Sequence, residues 1–248
     1  MIRKREYLVP EWSVPKSVQA VFTTRRGGTS KGAFESLNLS YSVGDDQEHV
    51  SKNRDLLSEI LPSSPVLVTQ VHGNTLVKAE DSAPTTRADA IYTRKQRTVC
   101  SIMTADCLPV LITSTFGDEV AVAHAGWRGL AAEILENTIK QFSAAANNLV
   151  VQFGPAISQK NYEVDKDMLE QFLELDCRYQ KYFWPNDSGK YLADLYGIAT
   201  HQLKQLNVEQ IFGGNYCTYE HSHHFFSHRR AQPTGRMASM IWLDDRQT

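Results

Sequence analysis

The chain is poor in cysteine. Four occur in 248 residues, Cys100, Cys107, Cys177 and Cys217, and none forms a Cys-x-x-Cys pair. That spacing excludes a disulfide-dense secreted scaffold. Long apolar runs are also missing: none approaches the roughly 18 residues needed to span a bilayer. The charged stretch from Met1 to Tyr7 has no apolar segment behind it, so no signal peptide is expected. Charge of one sign is lacking too. The 26 Lys and Arg against 28 Asp and Glu leave a formal charge of −2, too weak to draw the chain to nucleic acid or an anionic membrane. No Ser/Gly-rich linker or internal repeat divides the sequence. Residues 1–248 therefore read as one domain with room for a substantial core, and no pattern sets an oligomeric state. The expected setting is cytoplasmic with reduced thiols, the form that metal ligation or nucleophilic chemistry requires.

What is present is ordinary globular material, 42% apolar and 22% charged. Val18–Thr24 reads as a strand running into a basic, Gly-rich loop from Arg25 to Gly32. Asp45-Asp46 is placed to cap a helix over Gln47–Leu61, ended by Pro62 and Pro65. Val66–Val71 and Leu76–Ala79 read as paired strands around His72-Gly73-Asn74. Thr98–Met103 and Val110–Thr113 read as strands flanking Asp106-Cys107, and Glu119–Ala123 as a short buried one. After Gly129, Leu130, Ile134, Leu135, Ile139 and Phe142 recur at helical spacing. Leu149–Phe153, Val208–Phe212 and Met237–Leu243 read as strands. Helices are expected after Asp165 and around Leu195 to Leu206. These elements do not alternate as in a doubly wound sheet. The expected class is α+β, with mixed β-sheets packed together and flanked by helices.

Three distant stretches carry the chemistry. Each ends an apolar run on a metal-ligating residue type: Val68 to Gly73 on His72, Thr104 to Pro109 on Cys107, and Ala121 to Gly129 on His124. Two imidazoles and a thiol make a three-ligand zinc set, with a fourth position left for catalysis. Plainer readings stand beside this one: a turn histidine bonded to backbone, a buried inert thiol, a strand-to-helix turn. Pro109 lacks an N–H and is expected to break the ladder, placing Cys107 at a loop. Asp106 either orients a ligand or caps the turn. Gly126 and Gly129 bracket a helix start suited to an anion, with Arg128 adding charge. The loop from Arg25 to Gly32 is not a nucleotide P-loop; it is a solvent-exposed tip or a substrate contact. His221-Ser222-His223-His224 reads as surface rather than a chelate, because neighbours on an extended chain point apart. Cys100 and Cys177 read as packing residues.

Taken together, these stretches resemble the YfiH family, also called the polyphenol oxidase or laccase-domain family. The resemblance rests on Gln70-Val71-His72-Gly73, Thr104 to Pro109, His124 to Gly129 and Gly154-Pro155-Ala156-Ile157. It extends to Thr23-Thr24-Arg25, Gly27-Gly28, Ser36-Leu37-Asn38-Leu39, Tyr162-Glu163-Val164, Cys217-Thr218-Tyr219, Phe225 to Arg230 and Thr234-Gly235-Arg236. It covers nearly the whole chain in order. One departure is His228, where a Tyr is more usual; it is expected to bear little on the metal site.

The resemblance implies a YfiH/CNF-like fold, similar in its core to certain bacterial toxin deamidases. It implies a zinc site of His72, Cys107 and His124. The implied activity is purine nucleoside phosphorylase on adenosine, inosine and methylthioadenosine, with adenosine deaminase activity in the same site. Purine nucleoside and phosphate are then the small-molecule partners. Arg25 and Arg128 are candidate phosphate-binding cations, since guanidinium suits bidentate oxyanion contact. Asn38 is a candidate contact to a substrate hydroxyl. The rivals are copper-dependent polyphenol oxidation, a Cys/His amidase or deamidase, a role in editing peptidoglycan precursors, and a non-enzymatic binding module.

Overall fold

The computed structural model describes residues 6–245. The strands are β1 Tyr7–Leu8, β2 Val18–Thr23, β3 Leu76–Lys78, β4 Ala90–Thr93, β5 Cys100–Thr104, β6 Leu108–Ser114 and β7 Val120–Ala125. They continue as β8 Leu149–Phe153, β9 Glu163–Val164, β10 Phe183–Pro185, β11 Tyr191–Ala193, β12 Gln210–Gly213 and β13 Met237–Leu243. The helices are α1 Gln47–Leu57, α2 Trp127–Ala131, α3 Ile134–Lys140, α4 Lys166–Leu175 and α5 Leu195–Gln205.

Strand periodicity builds the layers. A six-stranded mixed sheet has the order β12-β8-β6-β7-β4-β3. Alternate residues leave it in opposite directions. Leu108, Val110 and Ile112 of β6, with Ala121 and Ala123 of β7, share a core with Leu130, Leu135, Met168, Phe172 and Ile198 of the helices. Leu111, Val120, Val122 and Ile91 point the other way, onto Phe22, Ile102 and Ile241 of a four-stranded sheet ordered β1-β2-β13-β5. The outer face of that second sheet, with Ala238, Met240 and Trp242, is covered by Leu37, Leu39 and Leu57. A small sheet, β10-β11-β9, lies beside the helices. The architecture is α+β with mixed sheets flanked by helices.

Several elements depart from expectation. Val66–Val71 is not a strand; it makes only single bridges, Val66 to Cys100 and Thr69 to Arg87. Side chains replace its ladder: the Gln70 amide holds both the N–H and the C=O of Met103 at 2.7 and 2.8 Å. β3 pairs instead with β4, in parallel. Pro109 does not end the ladder. It is the second residue of β6, opposite His124, and its carbonyl accepts from Gly154 N–H; proline is tolerated so near a strand start. The helix after Gly129 is two pieces, because Glu133 takes a left-handed φ of 65°. α1 stops at Leu57, short of Leu61, and Asp46 alone caps it, accepting from Glu48 and His49 N–H. Asp45 turns inward to Ser30 and Asn38. Cys100 is fully buried as expected, whereas Cys177 is exposed and packs no core.

Candidate metal centre

Two bends and one strand end create the centre. His72 sits in the turn before β3, Cys107 in the bend between β5 and β6, and His124 near the end of β7. The β6–β7 pairing places Leu108 opposite Ala125, so Cys107 and His124 meet at the same end of the two central strands. His72 reaches them from the turn, its ring 4.7 Å from that of His124 at 75°. One ligand atom from each of the three side chains lies within 4.8 Å of the other two. Four-coordinate zinc needs bonds of about 2.0–2.3 Å to nitrogen and sulfur, so a small inward rotation brings these donors to one ion.

Both bends use strained backbone. His72 has φ 59° and Asp106 φ 90°, a region costing non-glycine residues about 1–3 kcal/mol unless the surroundings hold it. Here they do. The fully buried carboxylate of Asp89 accepts from the N–H groups of Val71, His72 and Gly73 at 3.2, 3.0 and 2.7 Å. The Asp106 carboxylate accepts from Thr218 Oγ1 and Arg229 N–H, each at 2.6 Å, and its carbonyl accepts from Ile157 N–H. Asp106 thus orients the Cys107 bend.

Asp89 is the residue that sequence reasoning missed. Besides the turn, it contacts His124 Nδ1 at 2.8 Å, and its carbonyl accepts from His124 N–H. With Nδ1 occupied, Nε2 is left for Cys107 or a metal, the usual carboxylate–histidine arrangement. The signal was faint: one acid between Ala88 and Ala90 at the head of an apolar run.

The centre is electrically polarised. Burial would raise the Cys107 thiol, but His124 and His72 outweigh it and hold it at about 6. Burial would lower His124, but Cys107 and Asp89 push it up to about 9. Burial would raise Asp89 as well, yet the bonds from His124, Gly73 and Val71 keep it below its ordinary value. Both directions favour thiolate on Cys107 and imidazolium on His124. Two imidazoles and a low-lying thiolate, with a carboxylate behind one ring, fit a borderline-soft divalent ion.

Small residues make the approach possible. A Cβ on Gly126 would stand 3.0 Å from Cys107 Sγ, and one on Gly129 would stand 3.1 Å from Gly73 O. The glycines serve this packing. The helix that Gly126 opens has only five residues.

The remaining candidates divide. Arg128 is exposed, lies 4.4 Å over the Trp127 ring, and couples electrostatically to Tyr162, which also feels Cys107. Arg25 lies elsewhere: its guanidinium covers Phe226 at 4.6 Å, donates to Ser222 O, and is coupled to Arg230 and Glu35. Asn38 is fully buried. Its amide donates to Ser40 O and Asp45 and accepts from Ser40 and Arg236 N–H, which leaves no polar atom for a substrate. Burial, followed by Arg236, lowers the His228 imidazole below its ordinary value. Among the described residues, His221, His223 and His224 join no metal-ligating group. Among the described residues, no helix is long and apolar enough to cross a membrane.

Residues 19–244 match the family described as "Multi-copper polyphenol oxidoreductase laccase". A Haemophilus influenzae protein named purine nucleoside phosphorylase is 46% identical over 239 residues, 95% of this chain and 98% of its own. The Escherichia coli K12 protein named purine nucleoside phosphorylase YfiH is similar to the same degree over the same shares. The crystal structure of Neisseria meningitidis NMB0706, a DUF152 protein, superposes with a TM-score of 0.93 at 41% identity, covering 97% of this chain and 100% of that one. YlmD from Geobacillus stearothermophilus superposes with a TM-score of 0.91 at 30% identity, covering 99% and 98%.

Proposed function

The chain belongs to the YfiH laccase-domain family, and from that premise we propose that it is a zinc-dependent purine nucleoside phosphorylase that also deaminates adenosine. The observation that carries the reading is the His72–Cys107–His124 group backed by Asp89. The names of relatives 46% identical over nearly their whole length support the phosphorylase part of this reading. Adenosine, inosine and methylthioadenosine are the proposed substrates, and the cytoplasm the proposed setting.

When bound, zinc supplies Lewis acidity at that end of the two central strands. The chain's own residues do the rest. Asp89 fixes the tautomer and orientation of His124. Burial and the Cys107 charge raise Tyr162 well above the ordinary phenol range, so it stays protonated and can donate to a purine nitrogen or a ribose hydroxyl. Arg128 offers charge to an oxyanion from the exposed side. In phosphorolysis the C1′–N9 bond breaks, a phosphate oxygen bonds to C1′, and the purine leaves with a proton. Positive charge beside the phosphate and a donor beside the purine suit that displacement.

The test is turnover of inosine, adenosine and methylthioadenosine at defined metal loading, with and without phosphate. Free purine base and ribose 1-phosphate are expected only when phosphate is present, and inosine from adenosine in either case. Full turnover by wild-type protein stripped of metal would overturn the zinc reading. One observation favours a second reading, a thiolate amidase or deamidase: Cys107 is already paired with His124 as thiolate and imidazolium. Iodoacetamide separates the two, because bound zinc protects Cys107 and leaves a zinc enzyme active.

A further inference from the structure

The arginine best placed to meet an anion at this centre is one that no motif argument selected. Arg236 is the residue before β13, whose first residue, Met237, pairs with Thr104 at the end of β5. It therefore stands beside the Ala105–Cys107 bend. Its backbone is clamped on both sides: its N–H donates to Asn38 Oδ1 at 2.9 Å, and its carbonyl accepts from Leu39 N–H. Its guanidinium is equally fixed, with Nη1 donating to the carbonyls of Thr234 and Gly235 at 2.9 and 3.0 Å. Gly235 is closely packed, since a Cβ there would meet the Phe226 ring and the Asn38 side chain.

Among the described residues, the opposite edge of the fork, Nε and Nη2, has no hydrogen-bond partner and no carboxylate within ion-pairing distance. The neighbouring arginines are spent differently. Arg230 gives its N–H groups to the carbonyls of Thr218, Tyr219 and Phe225. Arg229 donates to Glu163 O and covers Tyr162. Neither Nε nor Nη2 is sealed from solvent, so the edge is open to an approaching anion, and a bidentate oxyanion contact is the pairing it is shaped for. Cys107 and Asp106 are near enough to stabilise its charge against burial, which agrees with the position derived from the sheet.

We infer that the Nε–Nη2 edge of Arg236 is the phosphate-binding fork of this centre, a role for which the sequence had offered Arg25 and Arg128. The inference rests on the phosphorylase reading for its ligand, inorganic phosphate, but not for its geometry. The experiment measures phosphate binding directly, by calorimetry on zinc-loaded wild type, Arg236→Gln, Arg236→Lys and Arg25→Gln. Steady-state KM for phosphate and for inosine is measured alongside, with zinc content as the check on folding. Arg236→Gln is expected to weaken phosphate binding roughly tenfold or more, and Arg236→Lys to fall between, because a point charge replaces a fork. Zinc content is expected to hold, and KM for inosine to stay within about a factor of two while KM for phosphate rises. Unchanged phosphate affinity in both Arg236 variants overturns the inference. So does a loss confined to Arg25→Gln. If wild type binds phosphate through Arg236 yet phosphorolyses no nucleoside, the inference stands and the phosphorylase reading falls.

Discussion

Asp89 and His124 are joined twice, ring to carboxylate at 2.8 Å and backbone N–H to carbonyl at 2.7 Å. The same carboxylate gathers three N–H groups of the His72 turn. One buried acid therefore sets the position of two of the three candidate ligands.

Replacing it separates geometry from charge. Asp89→Asn keeps the volume but turns a donor toward donors. Zinc affinity is expected to fall about 10–100-fold, and stability by about 1.5–3 kcal/mol for the charged hydrogen bonds lost. Competition against a chelator and urea unfolding measure the two. Unchanged zinc affinity would mean that Asp89 does not position the ligands.

Cys107→Ser removes the soft donor and leaves the fold. Metal content is expected to drop from about one zinc per chain to a small fraction of that, with thermal unfolding of the metal-free proteins nearly superimposable. Elemental analysis after dialysis decides this, and a fully loaded Cys107→Ser protein would contradict the ligand assignment.

Metal binding should depend on pH with a definite sign. His124 is held at about 9 and Cys107 at about 6. Between these values Cys107 is already deprotonated, while His124 must lose one proton to accept a metal. Apparent affinity is expected to rise tenfold per pH unit across that window, steepen below about 6 where the thiolate also protonates, and level off above about 9. Calorimetry in buffers of different ionisation enthalpy would show about one proton released at pH 7.5.

Gly126→Ala tests the close approach. Its Cβ would lie 3.0 Å from Cys107 Sγ and 3.5 Å from His72 Cδ2. Weaker zinc binding is expected with little change in unfolding midpoint, because the added methyl presses on two ligands rather than on the core. An unchanged zinc affinity would show that the thiol moves aside freely.

His201 predicts an acid sensitivity remote from the centre. It stands against Tyr179 and Tyr182, its Nε2 has no partner, and burial followed by Lys181 and Arg178 lowers it from 6.5. Its folded value is depressed, so the unfolded chain takes up the proton first. Stability falls as pH drops below about 6.5. His201→Phe is expected to flatten that part of the stability–pH curve, measured by urea midpoints from pH 7 to 5. An identical slope in the variant would clear His201 of the effect.

Most of this molecule was legible where period and burial agree. β2, β6, β7, β8 and β13 were expected nearly in place, because alternating residues feed two different cores. The three grouped side chains, His72, Cys107 and His124, were legible as candidates because each closes an apolar run. Val66–Val71 misled because Gln70 and Asp89 satisfy by side chain what a strand satisfies by ladder. The helix after Gly129 looked continuous because the Glu133 break leaves the apolar spacing intact; Asn74 Nδ2 ties that break to the His72 turn through Ala132 O. Asn38 misled for a similar reason, since its amide is saturated within the fold. Exposure and hydrogen-bond saturation decide which polar residue is free to act, and neither is written in spacing.

The clamp on Asp106 comes from Thr218 and Arg229, 112 and 123 positions downstream, and the strand that joins β2 to β5 lies later still. On the ribosome, then, the thiolate bend waits without its brace until most of the polypeptide has emerged. Long-range closure of this kind is slow. Zinc should be captured late in assembly, as a seal on a finished structure, and nascent chains halted before residue 218 should emerge unable to retain it.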